Sequence, residues 1–346
     1  MKKTAKKMDW RTARSGNAGF ACAAEAIPGS YGMVVMALAA ITALFILMAL
    51  TSSAYAVLDI KAEYLYDLEG LTEDSHFQSQ GEIFSDPERN EIYVADTGNH
   101  CIRIFGKEGL ELFQFGENGE LGVPLDVAVT KSGDIYVLQG GFGGRNIDVF
   151  DYRGKRLSRL ELKGLPEGDT CEPTDIALDS QDNLYISDQK HGCIVSFDSD
   201  GQYRFKIMPT MNDKDREEAV FGSLSVDKNN RVYLPVATLG TVYVFNNEGK
   251  HLMNFGIQGG GPGRLAFPVD VVVDKGGRYL VLDKQRHCIA VYDRDGNYLT
   301  EFGGMGPSKG WFYYPNSLEI DRYGRIYVSQ MFGNKVQVLK LKEENR

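Results

Sequence analysis

From about residue 60 onward the chain is written in short runs where apolar and polar positions alternate or β-branched residues predominate, divided by turn signals. Residues 127–130, 135–138, 147–150 and 157–160 form one such set. A period of two is the signature of half-buried strands, and the dipeptides Asp182-Asn183, Asn229-Asn230 and Gly276-Gly277 are hairpin turns between them. The pattern predicts strands of four to seven residues joined by tight turns, with one interruption. Residues 212–220, NDKDREEAV, lose the alternation and predict a short acidic helical insertion.

The alternation repeats. IYVADTGNHCIRIF at residues 92–105 returns in looser form as IYVLQ, LYISD, VYLPV, YLVLD and IYVSQ. With Tyr93, Tyr136, Tyr185, Tyr233, Leu280 and Tyr327 as one column, the spacings are 43, 49, 48, 47 and 47 residues. Six copies, each of about four antiparallel strands, predict an all-β, six-bladed β-propeller. A period near 47 also suits paired helices, but period-two alternation and the hairpin dipeptides argue against them. The sixth copy ends one strand short. EYLYDL at 63–68 resembles the outermost strands ELFQFG and NYLTEFG and is expected to complete that blade, leaving no open sheet edge at the join.

The first 56 residues follow another pattern. Lys2, Lys3, Lys6, Lys7, Arg11 and Arg14 precede an apolar run at 33–50, broken only by Thr42. Eighteen residues just span a bilayer, which predicts a retained anchor; Ala54-Tyr55-Ala56 equally suits signal-peptidase cleavage after Ala56. Both alternatives export the remainder, so residues 57–346 are expected on the periplasmic side of the inner membrane or free in the periplasm.

Charge then narrows the partners. The whole chain carries 38 basic and 47 acidic residues, and the part after residue 56 has a net charge of −13. That sign disfavours nucleic acid and anionic headgroups. No C-x-x-C-H, G-x-S-x-G or H-E-x-x-H pattern occurs. Gly140-Gly-Phe142-Gly-Gly144 lacks the lysine and helix of a phosphate loop and is expected to be a flexible turn.

Asp96-Thr-Gly-Asn-His100-Cys-Ile-Arg-Ile-Phe105, together with connectors such as Phe255-Gly-Ile-Gln-Gly and Phe267-Pro268, resembles the NHL repeat. The resemblance covers about residues 60–342 and is fullest in the first copy; the others keep the strands but lose the Asn-His pair. It implies a six-bladed propeller from a family dominated by binding and scaffolding, with a minority of enzymes such as amidating lyases and lactonases.

Two sets of residues carry candidate chemistry. Asp96, Asp188 and Asp283 each stand five residues before a cysteine, Cys101, Cys193 or Cys288, with His100, His191 and His287 in the same turns. Those turns, between second and third strands, belong to the top face. Alternate blades diverge by 120°, and third strands lie roughly 10 Å beyond the first at about 4.8 Å per strand, so the cysteines cannot converge on one metal. The set reads as turn-capping aspartates and core cysteines. Cys171, in the connector entering the third blade, is the one cysteine in reach of Cys193 for a disulfide.

The second set lies at the channel. Ten residues before each column position stand Asp126, Asp175, Ser223, Asp270 and Ser317, with Glu82 equivalent in the first copy. Converging oxygens of Glu82, Asp126, Asp175 and Asp270 could hold Ca²⁺ or another divalent cation, as in the related lactonases; alternatively each aspartate caps a neighbouring loop. In 311–314, WFYY, Phe312 and Tyr314 are expected in the core. Trp311 and Phe142, with the three histidines, are expected on a top-face binding surface. The function expected is a non-catalytic binding or scaffold module for a protein or other periplasmic partner, without a cofactor. A metal-dependent lyase or lactonase at the channel mouth is the alternative.

Overall fold

The computed structural model describes residues 58–72, 75–116, 119, 121–141 and 143–345. The basic segment, the apolar run at 33–50 and Phe142 lie outside the described residues. Among those described, no helix is long and apolar enough to cross a membrane.

Residues from Leu58 onward form one compact unit of six four-stranded antiparallel sheets. Their innermost strands are Gln80–Asp86, Val123–Val129, Asp175–Leu178, Ser225–Val226, Pro268–Val273 and Pro315–Ile320. Each packs beside the innermost strand of the blade before and after it, which closes a ring around a central channel. The ring is joined by both ends of the chain. In the sixth blade the C-terminal strand Val336–Asn345 pairs with Leu58–Asp67, from Leu58 opposite Asn345 to Asp67 opposite Gln337, with one irregularity between Tyr64 and Tyr66.

The alternating residues bury both faces of every sheet, because each sheet has a neighbour on either side. The core is therefore six wedges between successive blades rather than one central mass. One wedge joins Val272, Leu280, Leu282, Ile289 and Val291 of blade 5 to Leu318, Ile326, Val328 and Leu339 of blade 6. Another joins blade 6, through Tyr327, Val336 and Val338, back to Ile83, Ile92 and Val94 of blade 1.

Turn chemistry fixes the strand ends. Where the first strand turns into the second, Asp179, Asp227 and Asp321 each accept the amides two and four residues on, at 2.8–3.0 Å. The chain then passes through the left-handed region at Asp182, Asn230 and Gly324. Such a conformation suits Asn, Asp and Gly. Asn212 caps the short exposed helix Asp213–Glu218 through the Asp215 amide at 2.8 Å. The glycine run of blade 2 differs from expectation. Its strands continue to Gly141 opposite Gly144, so it lengthens a hairpin instead of forming a loose loop.

Candidate functional site

The channel carboxyl groups lie at one level, at the start of the innermost strands. Asp126 accepts the Val127 amide on Oδ1 and the Ile176 amide of blade 3 on Oδ2, both at 2.7 Å. Asp270 repeats this with Val271 and with Leu318 of blade 6, again at 2.7 Å. Asp175 takes the Leu224 amide of blade 4 at 2.5 Å, and Ser317 Oγ takes the Ile83 amide of blade 1 at 3.1 Å. Each group thus staples its blade to the next. Glu82 does something else: its Oε1 accepts the Ser223 hydroxyl at 2.7 Å, a bond from blade 1 to blade 4 that crosses the channel.

These carboxyl groups crowd one another in a desolvated layer. Burial, reinforced by the Glu82 charge, pushes Asp126 up to about 8. Asp175 and Asp270 rise for the same two kinds of reason, burial first and neighbouring carboxylates second. Burial also raises Glu82, against hydrogen bonds from Ser223 and Ser317. Lys284, half-buried on the top side, is lowered by burial, a shift that the Glu82 charge opposes.

A divalent cation needs several free oxygens aimed at one point. Both oxygens of Asp126 and of Asp270 are directed at amides, and among the described residues no group of three or more His, Cys, Asp or Glu side chains is arranged to hold a metal. With Asp126 and Asp270 committed in this way, Glu82 and Asp175 alone of the four are left to offer free oxygens, short of the about six to eight that Ca²⁺ takes.

The top turns place their residues apart. Asp96, Asp188 and Asp283 are fully buried and accept amides from the preceding connector, Gln78, Glu172, and Ala266 with Phe267. His191 bonds Asp188 through Nδ1 at 2.7 Å, and His100 Nδ1 lies 2.7 Å from the Gly122 carbonyl. His287 is buried and therefore no surface contact, contrary to expectation: its Nδ1 accepts the Tyr314 amide at 3.2 Å, beneath the Tyr314 ring. Cys101, Cys171, Cys193 and Cys288 are free thiols. Cys171 packs against the wedge that contains Cys193, and burial pushes Cys193 to about 11 and Cys171 to about 12.

The connector before blade 6 builds the exposed feature of this face. Phe312 enters the core, as its alternation requires. Tyr314 does not. Its φ of +52° turns its ring outward and breaks the alternation, so it joins Tyr313 and Phe332 in a three-ring cluster with centroids 5.4–5.7 Å apart. A bulky side chain at positive φ is strained by about 1–3 kcal/mol. The Met331 amide, donating to Tyr314 O at 2.9 Å, and the Tyr314 amide, donating to His287 Nδ1 at 3.2 Å, hold it there. Trp311, half-exposed, lies so close over Gly304 that a Cβ there would sit 3.2 Å from the indole. Met305, Met331 and Phe332 are also exposed. Sequence reasoning found Trp311 but missed Tyr313, Tyr314 and Phe332; the four-aromatic run was the available signal, and the left-handed Tyr314 was not readable from it.

Residues 85–105 and 265–292 match the NHL repeat family model. The protein brain tumor of Drosophila melanogaster is 32% identical over 124 residues, 34% of this chain and 11% of that protein. The human E3 ubiquitin-protein ligase NHLRC1 is 27% identical over 118 residues, 33% of this chain and 28% of that protein. The matched parts are thus a small share of both relatives. Among solved structures, a protein of unknown function from Bacteroides thetaiotaomicron aligns with a TM-score of 0.60 at 15% identity, covering 82% of this chain and 76% of that one. A gluconolactonase from Xanthomonas campestris aligns at 0.56 and 13% identity, covering 84% and 93%. A virginiamycin B lyase from Staphylococcus aureus aligns at 0.54 and 12%, covering 82% and 99%. At these identities the likeness is one of fold. With six four-stranded blades around one channel and the repeat model matching in two places, the chain is a six-bladed β-propeller that carries NHL repeats at residues 85–105 and 265–292.

Proposed function

We propose that the protein is a non-catalytic binding module whose top face holds a protein partner through the aromatic surface of blade 6, exported and carried on the periplasmic side of the inner membrane by residues 33–50 or released by cleavage after Ala56. The observation that carries this is the exposed cluster of Tyr313, Tyr314 and Phe332, in which the strained Tyr314 is held by hydrogen bonds with Met331 of its own blade and His287 of the blade before. Rigid exposed aromatics bury large area at small entropic cost. The similarity to brain tumor and NHLRC1 lies in the NHL region and supports a protein partner. A lyase or lactonase reading is less supported at the channel, where Asp126, Asp175 and Asp270 accept backbone amides and Glu82 accepts the Ser223 hydroxyl.

The test is a comparison of partners cross-linked to the intact protein and to a Tyr313→Ser, Phe332→Ser variant. A partner present with the native protein and at least tenfold depleted with the variant, at unchanged melting temperature, is expected; equal recovery refutes the assignment. Elemental analysis separates the enzyme reading. We expect divalent metal well below one per chain, and a stoichiometric metal lost on Asp126→Ala overturns the non-catalytic reading.

A further inference from the structure

Beneath the carboxyl layer the channel becomes a cavity of about 750 Å³, opening on the face opposite the aromatic cluster, where first strands turn into second strands. That volume is in the range of small-molecule sites, about 300–1,000 Å³. The six-fold repeat makes its wall legible as layers. Three residues beyond the carboxyl level, equivalent positions hold Ser85, Val129, Leu178, Val226, Val273 and Ile320. The strand register aligns them, opposite Ile92, Ile135, Leu184, Val232, Tyr279 and Ile326 in turn. Five of the six are apolar, and Leu178, Val226, Val273 and Ile320 are only partly buried by the wedges.

Two residues further, the same register brings Pro87, Lys131, Ser180, Lys228, Lys275 and Arg322 to the rim. Four of six blades therefore set a cation at one level of one opening. Of the turn carboxylates in this wall, Asp86, Asp227, Asp274 and Asp321 pair with Arg89, Arg231, Arg278 and Arg325 of their own turns, Asp179 accepts amides and the Asn183 side chain, and Asp182 accepts the Lys131 amide. Among the described residues no ion pair engages Lys131, Lys228 or Lys275, and Arg322 donates to the Pro87 carbonyl and lies over the Tyr323 ring. From the carboxyl level to the rim is five residues, at most about 17 Å at 3.3 Å each. The unpaired cations of this wall stand at its rim, so an anion entering the cavity is held there by its head.

We infer that this cavity binds an amphipathic anion, with the charged head among Lys131, Lys228, Lys275 and Arg322 and a compact apolar body against the collar of Val129, Leu178, Val226, Val273 and Ile320. The site is separate from the aromatic surface, on the other face, and does not depend on the partner proposed there. A free carboxylate and a phosphate or sulfate ester with an alkyl body share the required chemistry.

Isothermal titration of the full-length protein with decanoate, below the concentration at which it forms micelles, tests this. Decyltrimethylammonium serves as the same body with the opposite charge, and partitioning into any solubilising detergent is common to all samples and subtracts. Saturable binding of one decanoate per chain is expected, at least tenfold weaker in Lys131→Glu, Lys228→Glu, Lys275→Glu, whose exposed side chains are not needed for folding. Val226→Trp, which fills the collar, should abolish it, and octyl sulfate should compete. Equal affinity for decyltrimethylammonium, decanoate binding undiminished in the lysine variant, or no saturable binding overturns the inference.

Discussion

Arg103 sits in the third strand of blade 1 with 1% of its surface exposed, a cost repaid only by complete pairing. Its guanidinium meets Glu111 twice, at 2.9 and 2.6 Å, Asp96 at 3.4 Å and Ser75 Oγ at 3.0 Å, and its face covers Phe77 at 4.2 Å. Through Ser75 and Phe77 it ties the segment entering blade 1 to the sheet. Removing it leaves Glu111 and Asp96 buried without their cation. Arg103→Ala should lose about 3–5 kcal/mol in urea unfolding; a loss under about 1 kcal/mol would mean that the carboxylates find water. Tyr314 is the opposite kind of residue, destabilising locally and retained by its surroundings, which is why it reads as functional rather than structural.

Among the elements, the strand Leu58–Asp67 bears the most non-local burden, since it pairs with the last strand of the chain. Deleting residues 58–67 uncovers the edge of Val336–Asn345 and removes Ile60 from the wedge between blades 5 and 6. An unpaired edge is a template for another chain. The shortened protein should melt at least 10 °C lower and associate in sedimentation velocity with rising concentration; a monomer of unchanged melting temperature would show that this pairing contributes nothing. Strands were the legible part of the sequence because period-two burial is a local property, and the six column residues, Tyr93 through Tyr327, sit in equivalent second strands as their spacing required. Cross-blade partners were not legible. Nothing near Glu82 announces Ser223, which is 141 residues away, and nothing near Asp270 announces that its second oxygen serves Leu318. The same carboxylate pattern suits a cation site and a ring of backbone staples, and only the direction of each oxygen separates them. His287 was misplaced because a turn histidine is exposed by default, whereas this one lies under a tyrosine that the chain turns outward.

For the whole molecule, closing six blades forces acidic side chains from different repeats into one narrow layer, and that has a consequence for pH. Asp126 is pushed up to about 8 by burial and then by Glu82; Glu319, deep in the channel wall, is pushed to about 8 by burial, while hydrogen bonds from the Ile320 and Ser85 amides oppose the rise. In the unfolded chain such carboxyls titrate near 4. Between those limits the folded state binds more protons than the unfolded state, so stability falls as pH rises. The contribution is intact below about pH 4 and is lost progressively from there to about pH 8. At the acidic end an opposing group acts: Asp293, held low by hydrogen bonds from Asn297 and the Asp295 and Gly296 amides that outweigh its burial, stabilises only while ionised. The melting temperature should therefore peak near pH 5 and decline toward pH 9, the reverse of a protein dominated by carboxylate ion pairs. Glu319→Gln keeps an oxygen for the Ile320 amide, at 2.7 Å in the native protein, but has no proton to lose. It should flatten the decline between pH 5 and 9 with little change at pH 5. A melting curve that rises across that interval, or an unchanged slope in the variant, would mean that the layer stays ionised and hydrated, with Glu82 and the aspartates charged at neutral pH.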